Sequence, residues 1–247
     1  MIKKIVSLSL LVCLALAGKI SAQDYKATVF GIKSDGITNN TASIQRAIDY
    51  ISEKGGGRLI FYVGRYLTGS IELKSNVTIR VASGAVLVAS PSVYEYKGGK
   101  QPALIYAKDQ KNIAIEGVGV LDGNGTQVVA NITEQVAKGH IQEAAELTPA
   151  LIAFENCKQA SVKELTLQNS ATTAQVYANC EGLNVSKVNV FNKENNEAAL
   201  SVSGCKNLTV TDCYFDTKET LVISDMSASD AVFKGNRTPT GKEVSFK

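Results

Sequence analysis

The chain has 247 residues, is 45% hydrophobic and 20% charged, and has a mean hydropathy of +0.01. This balance excludes disordered, collagen-like and multi-span membrane classes and leaves one or two globular domains. Its formal charge of +3 comes with no basic cluster carrying interleaved aromatics, so nucleic acid is set aside as a partner.

In chain order, Lys3 and Lys4 precede an apolar run from Ile5 to Gly18 that closes on Ile20-Ser21-Ala22. The pattern predicts a secretory signal peptide over residues 1–22, too short in its apolar part for a membrane anchor. Cleavage there removes three of the 26 basic residues and no acidic one, leaving a formally neutral mature chain over 23–247. A secreted or periplasmic protein with no membrane span follows from this reading. Asn40 is the predicted N-cap of a helix over TASIQRAIDYISEK, where Ile44, Ala47, Ile48 and Ile51 form one apolar stripe and Gly55 supplies the stop.

Short strands are predicted around Val77 and Ile113, followed by a second helix over about 132–147 that carries His140, the sole histidine. A lone His on such a helix reads as solvated rather than catalytic. The second half repeats itself: LIAFENCKQASVKELTLQN from Leu151, QVYANCEGLNVSKVNVFN from Gln175 and LSVSGCKNLTVTDCYFD from Leu200. Anchors at Ala160, Leu183, Leu208 and Ala231 are 23, 25 and 23 residues apart, and the Val77 and Ile113 copies precede them at longer steps of 36 and 47.

A unit of 23 to 25 residues with two or three short strands cannot bury its own apolar side, so units must stack. The fold read from this is all-β, a single right-handed parallel β-helix domain whose open N-terminal end is capped by the first helix. Leucine-rich repeats would need a Leu framework the chain lacks, and a β-sandwich would not give a near-constant step. Stacking predicts one column of Cys157, Cys180 and Cys205, either small buried thiols or one disulfide pair, and one column of Asp122, Asn169, Asn192 and Asp216 at turns.

The stretch from Val29 to Ser90, GVGVLDGNGTQ from Gly117, and CKNLTVTDCYFDT from Cys205 resemble the pectate-lyase-like superfamily, and most closely the polygalacturonases, the family 28 glycoside hydrolases. The resemblance implies a right-handed parallel β-helix that meets pectic polyuronides. It also implies catalytic aspartates in Asn-Thr-Asp and Gly-Asp-Asp motifs, which fall here on Asn196-Glu197-Ala198 and Lys218-Glu219-Thr220. Of three implied carboxylates only Glu219 remains, and the family's later Gly-His-Gly and Arg-x-Lys motifs have no counterpart before Lys247.

Inverting hydrolysis needs an acid and a base roughly 6.5 to 9.5 Å apart, and one carboxylate cannot hold both roles at once. Counted back from the anchors, the groove column reads Ala150, Thr173, Ala198 and Thr220, all small and neutral. The function read from this is an exported polygalacturonase-like protein without the catalytic set, binding a pectin-like polysaccharide or a protein partner, with no cofactor and no metal. One alternative is an active hydrolase or lyase with a relocated site at Glu219, Asp216 and Glu197; a Ca²⁺ cluster of Asp212, Asp216 and Glu219 belongs to the lyase version. A second alternative is an assembly module whose last coil pairs with another chain.

Overall fold

The structure, a computed structural model, describes residues 23–98, 101–142, 147–193 and 198–245. The predicted signal segment and Glu197 lie outside these. Three parallel sheets run side by side. Sheet A holds β1 (Asp24–Lys26), β3 (Gly57–Phe61), β6 (Val77–Val81), β9 (Lys111–Glu116), β12 (Lys158–Lys163), β15 (Asn184–Ser186), β18 (Leu208–Thr211) and β21 (Ala231–Lys234). Sheet B holds β2 (Asp35–Asn39), β4 (Gly64–Thr68), β7 (Ala85–Ala89), β10 (Val120–Asp122), β13 (Thr166–Gln168), β16 (Asn189–Asn192) and β19 (Tyr214–Thr217). Sheet C holds β5 (Ile71–Glu72), β8 (Ala103–Lys108), β11 (Ala150–Glu155), β14 (Gln175–Ala178), β17 (Ala198–Ser203) and β20 (Glu219–Ser224).

From β3 onward the chain visits A, B and C in turn, and each strand pairs with its counterpart in the next coil. This is a right-handed parallel β-helix. A parallel pair needs a long crossover, and here the other two sheets supply it. The repeat anchors do share a column: Ile113 pairs with Ala160 and Leu208 with Ala231, while Val162, Val185 and Val210 pair in series between them. Alternate residues of most strands point inward into one continuous core.

Helix α1 (Thr41–Glu53) follows β2 of sheet B and precedes β3 of sheet A, so it occupies the place of a sheet C strand in the first coil. Its stripe of Ile44, Ala47, Ile48 and Ile51 is fully buried. Asn40 is the N-cap residue, its carbonyl accepting from the Ile44 amide at 2.9 Å, but its side chain makes no cap bond. Its buried amide instead accepts from the Lys33 amide at 2.8 Å and donates to the carbonyls of Lys33, Thr38 and Leu67, tying the entry loop to β4. The neighbouring Asn39 Oδ1 accepts from the Thr41 amide at 2.9 Å and from its hydroxyl at 2.7 Å.

The second helix is also corrected. Helix α2 runs Gly125–Ala137, and a left-handed Gly139 (φ 72°) ends it before His140. His140 is exposed beyond the helix, its Nδ1 3.0 Å from Gln135 Oε1.

The predicted Asx column breaks by one residue. Asp122 pairs with Gln168, which pairs with Phe191 and then Asp216. Asn192 pairs with Thr217 instead. For Asp122 the cause is the turn at Gly117-Val118-Gly119, one residue longer than Glu164-Leu165 in the next coil, and Asp216 falls one short because it lies six rather than seven residues after Val210. A Cβ at Gly117 would stand 2.2 Å from the Val81 carbonyl oxygen, so only glycine fits the extra residue against the preceding coil. The ladder of turn residues stands elsewhere, at the corner from sheet C to sheet A. There Asp109, Asn156, Asn179, Gly204 and Asp225 are all left-handed, and Asn156 Nδ2 donates to Asp109 Oδ1 at 3.1 Å.

The cysteines follow that ladder. Cys157, Cys180 and Cys205 are free buried thiols, each aimed at a carbonyl of the preceding coil, those of Ala107, Phe154 and Tyr177. Cys213, at the corner from sheet A to sheet B, is also free and buried, and burial pushes its thiol up to about 11.

Two outcomes follow. Asn40→Ala orphans buried backbone groups and lowers stability by about 2–4 kcal/mol in urea unfolding, well above the loss of an ordinary helix cap. Because the folded thiol titrates above its ordinary value, the Cys213 contribution is intact below pH 9 and is lost as the pH rises toward about 11. Unfolding midpoints therefore fall over that window, by about 1–3 kcal/mol for this group, and Cys213→Ala removes that part of the fall.

Candidate functional site

The corner between sheets B and C collects the polar side chains that could meet a ligand. On the sheet B side stands the outward column Asp122, Gln168, Phe191 and Asp216. On the sheet C side Ala103 pairs with Ala150, Thr173 lies level with them, and Ala198 pairs with Glu219. Counting from the anchors had placed Thr220 in that last position. The connection from β20 to β21 is two residues longer than its predecessor and holds a 3-10 turn at Ala228–Asp230, closed by Ser227 Oγ donating to Asp230 at 2.6 Å. That length shifts the register and brings Glu219 into the groove column.

The three sequence candidates separate as follows. Glu219 is exposed at the start of β20, directly beside the buried Ala198. Asp216 sits three residues earlier on sheet B, its side chain 15% exposed and paired with Lys193 Nζ at 3.0 Å. Glu197 lies outside the described residues. Asp212 is not in this set: it is a left-handed residue of the corner from sheet A to sheet B. Among the described residues no three His, Cys, Asp or Glu side chains stand together as a metal site.

Asp122 is the carboxylate of this corner outside the sequence candidates. Its Oδ1 accepts from the Asn124 amide at 3.0 Å and from Asn169 Nδ2 at 3.2 Å, and its Oδ2 accepts from Gln168 Nε2 at 3.1 Å. It thereby holds the start of α2 against the next coil. Three strand spacings separate it from Asp216, roughly 14 Å, beyond the reach of an acid–base pair.

The structure adds residues that sequence reasoning missed. Phe191 is 42% exposed and packs against Tyr214, with ring centroids 5.8 Å apart at 51°. Together with Asn169, Asn192, Lys193 and Asp216, Phe191 lines a small cavity of about 190 Å³. The signal was the recurrence of an aromatic 23 residues later in the same sheet, which only the register turns into a contact. A second feature, also missed, is the outer face of sheet C, where cavities of about 710 and 320 Å³ share the ring of Tyr106.

With this geometry in view, the profile of the Glycosyl hydrolases family 28 matches residues 61–244. The chain belongs to that family. It is 51% identical to a solved protein of Parabacteroides merdae described as a glycosyl hydrolase, with a TM-score of 0.86 over 91% of this chain and 99% of that one. It is 26% identical to the exo-poly-alpha-D-galacturonosidase of Dickeya chrysanthemi over 77% of this chain, and spans 40% of that enzyme's length. The exopolygalacturonase of Thermotoga maritima shares the fold at a TM-score of 0.73 and 24% identity, over 89% of this chain and 61% of that one. No helix among the described residues is long and apolar enough to cross a membrane.

Proposed function

We propose that this family 28 chain is an exported, single-domain β-helix over 23–247 that works outside the cytoplasm and binds a pectin-like polysaccharide along the side of the β-helix without hydrolysing it. The observation that carries the reading is the pairing of Ala198 with Glu219. At the two positions where adjacent coils present side chains to the groove, one is a methyl group and the other a single exposed carboxylate. One carboxylate cannot protonate the leaving oxygen and activate water at the same time. Asp216 is ion-paired with Lys193 and Asp122 accepts hydrogen bonds from three donors, so both already serve structural contacts.

A second reading, an active hydrolase rebuilt around Glu219, is favoured by the place of Glu219 in the groove column rather than one residue off it. The two readings part on one assay. The mature protein is expected to release no new reducing ends and no unsaturated product from polygalacturonate or methylated pectin. It is expected to be retained on immobilised pectin, equally before and after Glu219→Gln. Turnover that Glu219→Gln abolishes would establish the second reading and remove the first.

A further inference from the structure

The outer face of sheet C carries a track that the catalytic motifs do not touch. Register places Glu72, Tyr106, Ala153, Val176, Ser201 and Val222 in one outward column across six strands, about 24 Å from end to end. Tyr106 is the junction of two cavities. The larger, about 710 Å³, lies between α1 and β5 and takes in Asp49, Glu72, Glu95, Lys74 and Lys97. The smaller, about 320 Å³, continues over Ala153 and Val176 and takes in Lys108, Glu155 and Asn179. Tyr106 and Val176 pack on a small apolar cluster of Ala103, Ala150 and Ala153. Burial, with the nearby Glu72 and Asp49 charges, holds the Tyr106 hydroxyl above the usual phenol range.

An aromatic ring beside a floor of small apolar side chains, rimmed by hydrogen-bonding groups, suits the flat face and hydroxyl edges of a pyranose chain. Charge then selects among such chains. A polyuronate brings one negative charge per ring and would need unpaired cations. Here Lys74 Nζ is 2.7 Å from Glu72 and Lys108 Nζ is 3.1 Å from Glu155, so two of the three lysines are already offset. Asp49, Glu72, Glu95 and Glu155 face Lys74, Lys97 and Lys108, four carboxylates against three ammonium groups. The track has no surplus positive charge.

We infer that the Tyr106 track binds methyl-esterified galacturonan, with ring faces on Tyr106 and ester methyls on Ala153 and Val176, and discriminates against the de-esterified acid. The inference rests on the reading that this chain binds a pectin-like polysaccharide.

The test is affinity electrophoresis of the mature protein against one pectin before and after alkaline de-esterification, with neutral galactan as a third gel. The esterified form is expected to bind about tenfold or more tightly than its de-esterified product, with little dependence on salt. Tyr106→Ala is expected to lose about tenfold in affinity and Tyr106→Phe to keep it, both with native circular dichroism. The double variant Glu72→Gln with Glu155→Gln unmasks two lysines and is expected to bring the de-esterified form up toward the esterified one. Binding of the de-esterified form as tight or tighter overturns this inference alone, as does an unchanged affinity of folded Tyr106→Ala. Preference for galactan removes the methyl-ester assignment and keeps polysaccharide binding. Retention by none of the three gels overturns the binding reading itself, and this inference with it.

Discussion

Everything in this molecule depends on the in-register parallel ladder between successive coils. A two- to six-residue strand with one apolar side has no stability alone; stacked at about 4.8 Å on its neighbours it saturates its backbone hydrogen bonds and extends a common core. The ladder converts a recurrence along the chain into a column in space. Inward columns such as Ile71, Ile105, Ile152, Gln175, Leu200 and Leu221 are its consequence. Even the polar Gln175 is wholly buried there, its Oε1 accepting from the Tyr177 hydroxyl at 2.9 Å. The cost of placing an amide in the core is partly offset by that bond.

The same ladder makes corners the variable part of the design. A left-handed residue redirects the strand at the corners from sheet A to sheet B and from sheet C to sheet A, mostly Asn, Asp or Gly, which adopt that conformation at least cost, with Glu164 and Lys187 as exceptions. Inserted length is tolerated only at corners. One residue at Gly117-Val118-Gly119, two in the last connection and the α2 excursion between β10 and β11 all leave the next strand in register. Side chains of the groove column stand at the ends of strands beside such corners, so a change of corner length can exchange Thr220 for Glu219 there without disturbing the core. Family 28 membership and an alanine at position 198 are compatible for this reason: the scaffold does not need an acidic side chain there.

Electrostatics along sheet C point the same way as the groove column. Lysines that could hold uronate carboxylates are matched by glutamates on the neighbouring coil or two residues away. Surface pairs of this kind contribute little to stability, and their effect on which ligand charge is welcome is larger than their effect on folding. Aromatic surface stands at Phe191 with Tyr214 on sheet B and at Tyr106 on sheet C.

The fold class, the coil period, the apolar stripe of α1 and the anchor column from Val77 to Ala231 were legible in the chain, because periodic burial leaves a periodic trace in residue type. The family was legible from its motif stretches, and so was the lone Glu219 among the motif positions. What the chain could not decide was register at the corners. Asp122 level with Gln168 and Glu219 beside Ala198 both turn on how many residues a bend holds. A bend has no hydrophobic period to count, and its length is settled by which backbone groups of the preceding coil it must meet. Only the stacked structure contains that neighbour.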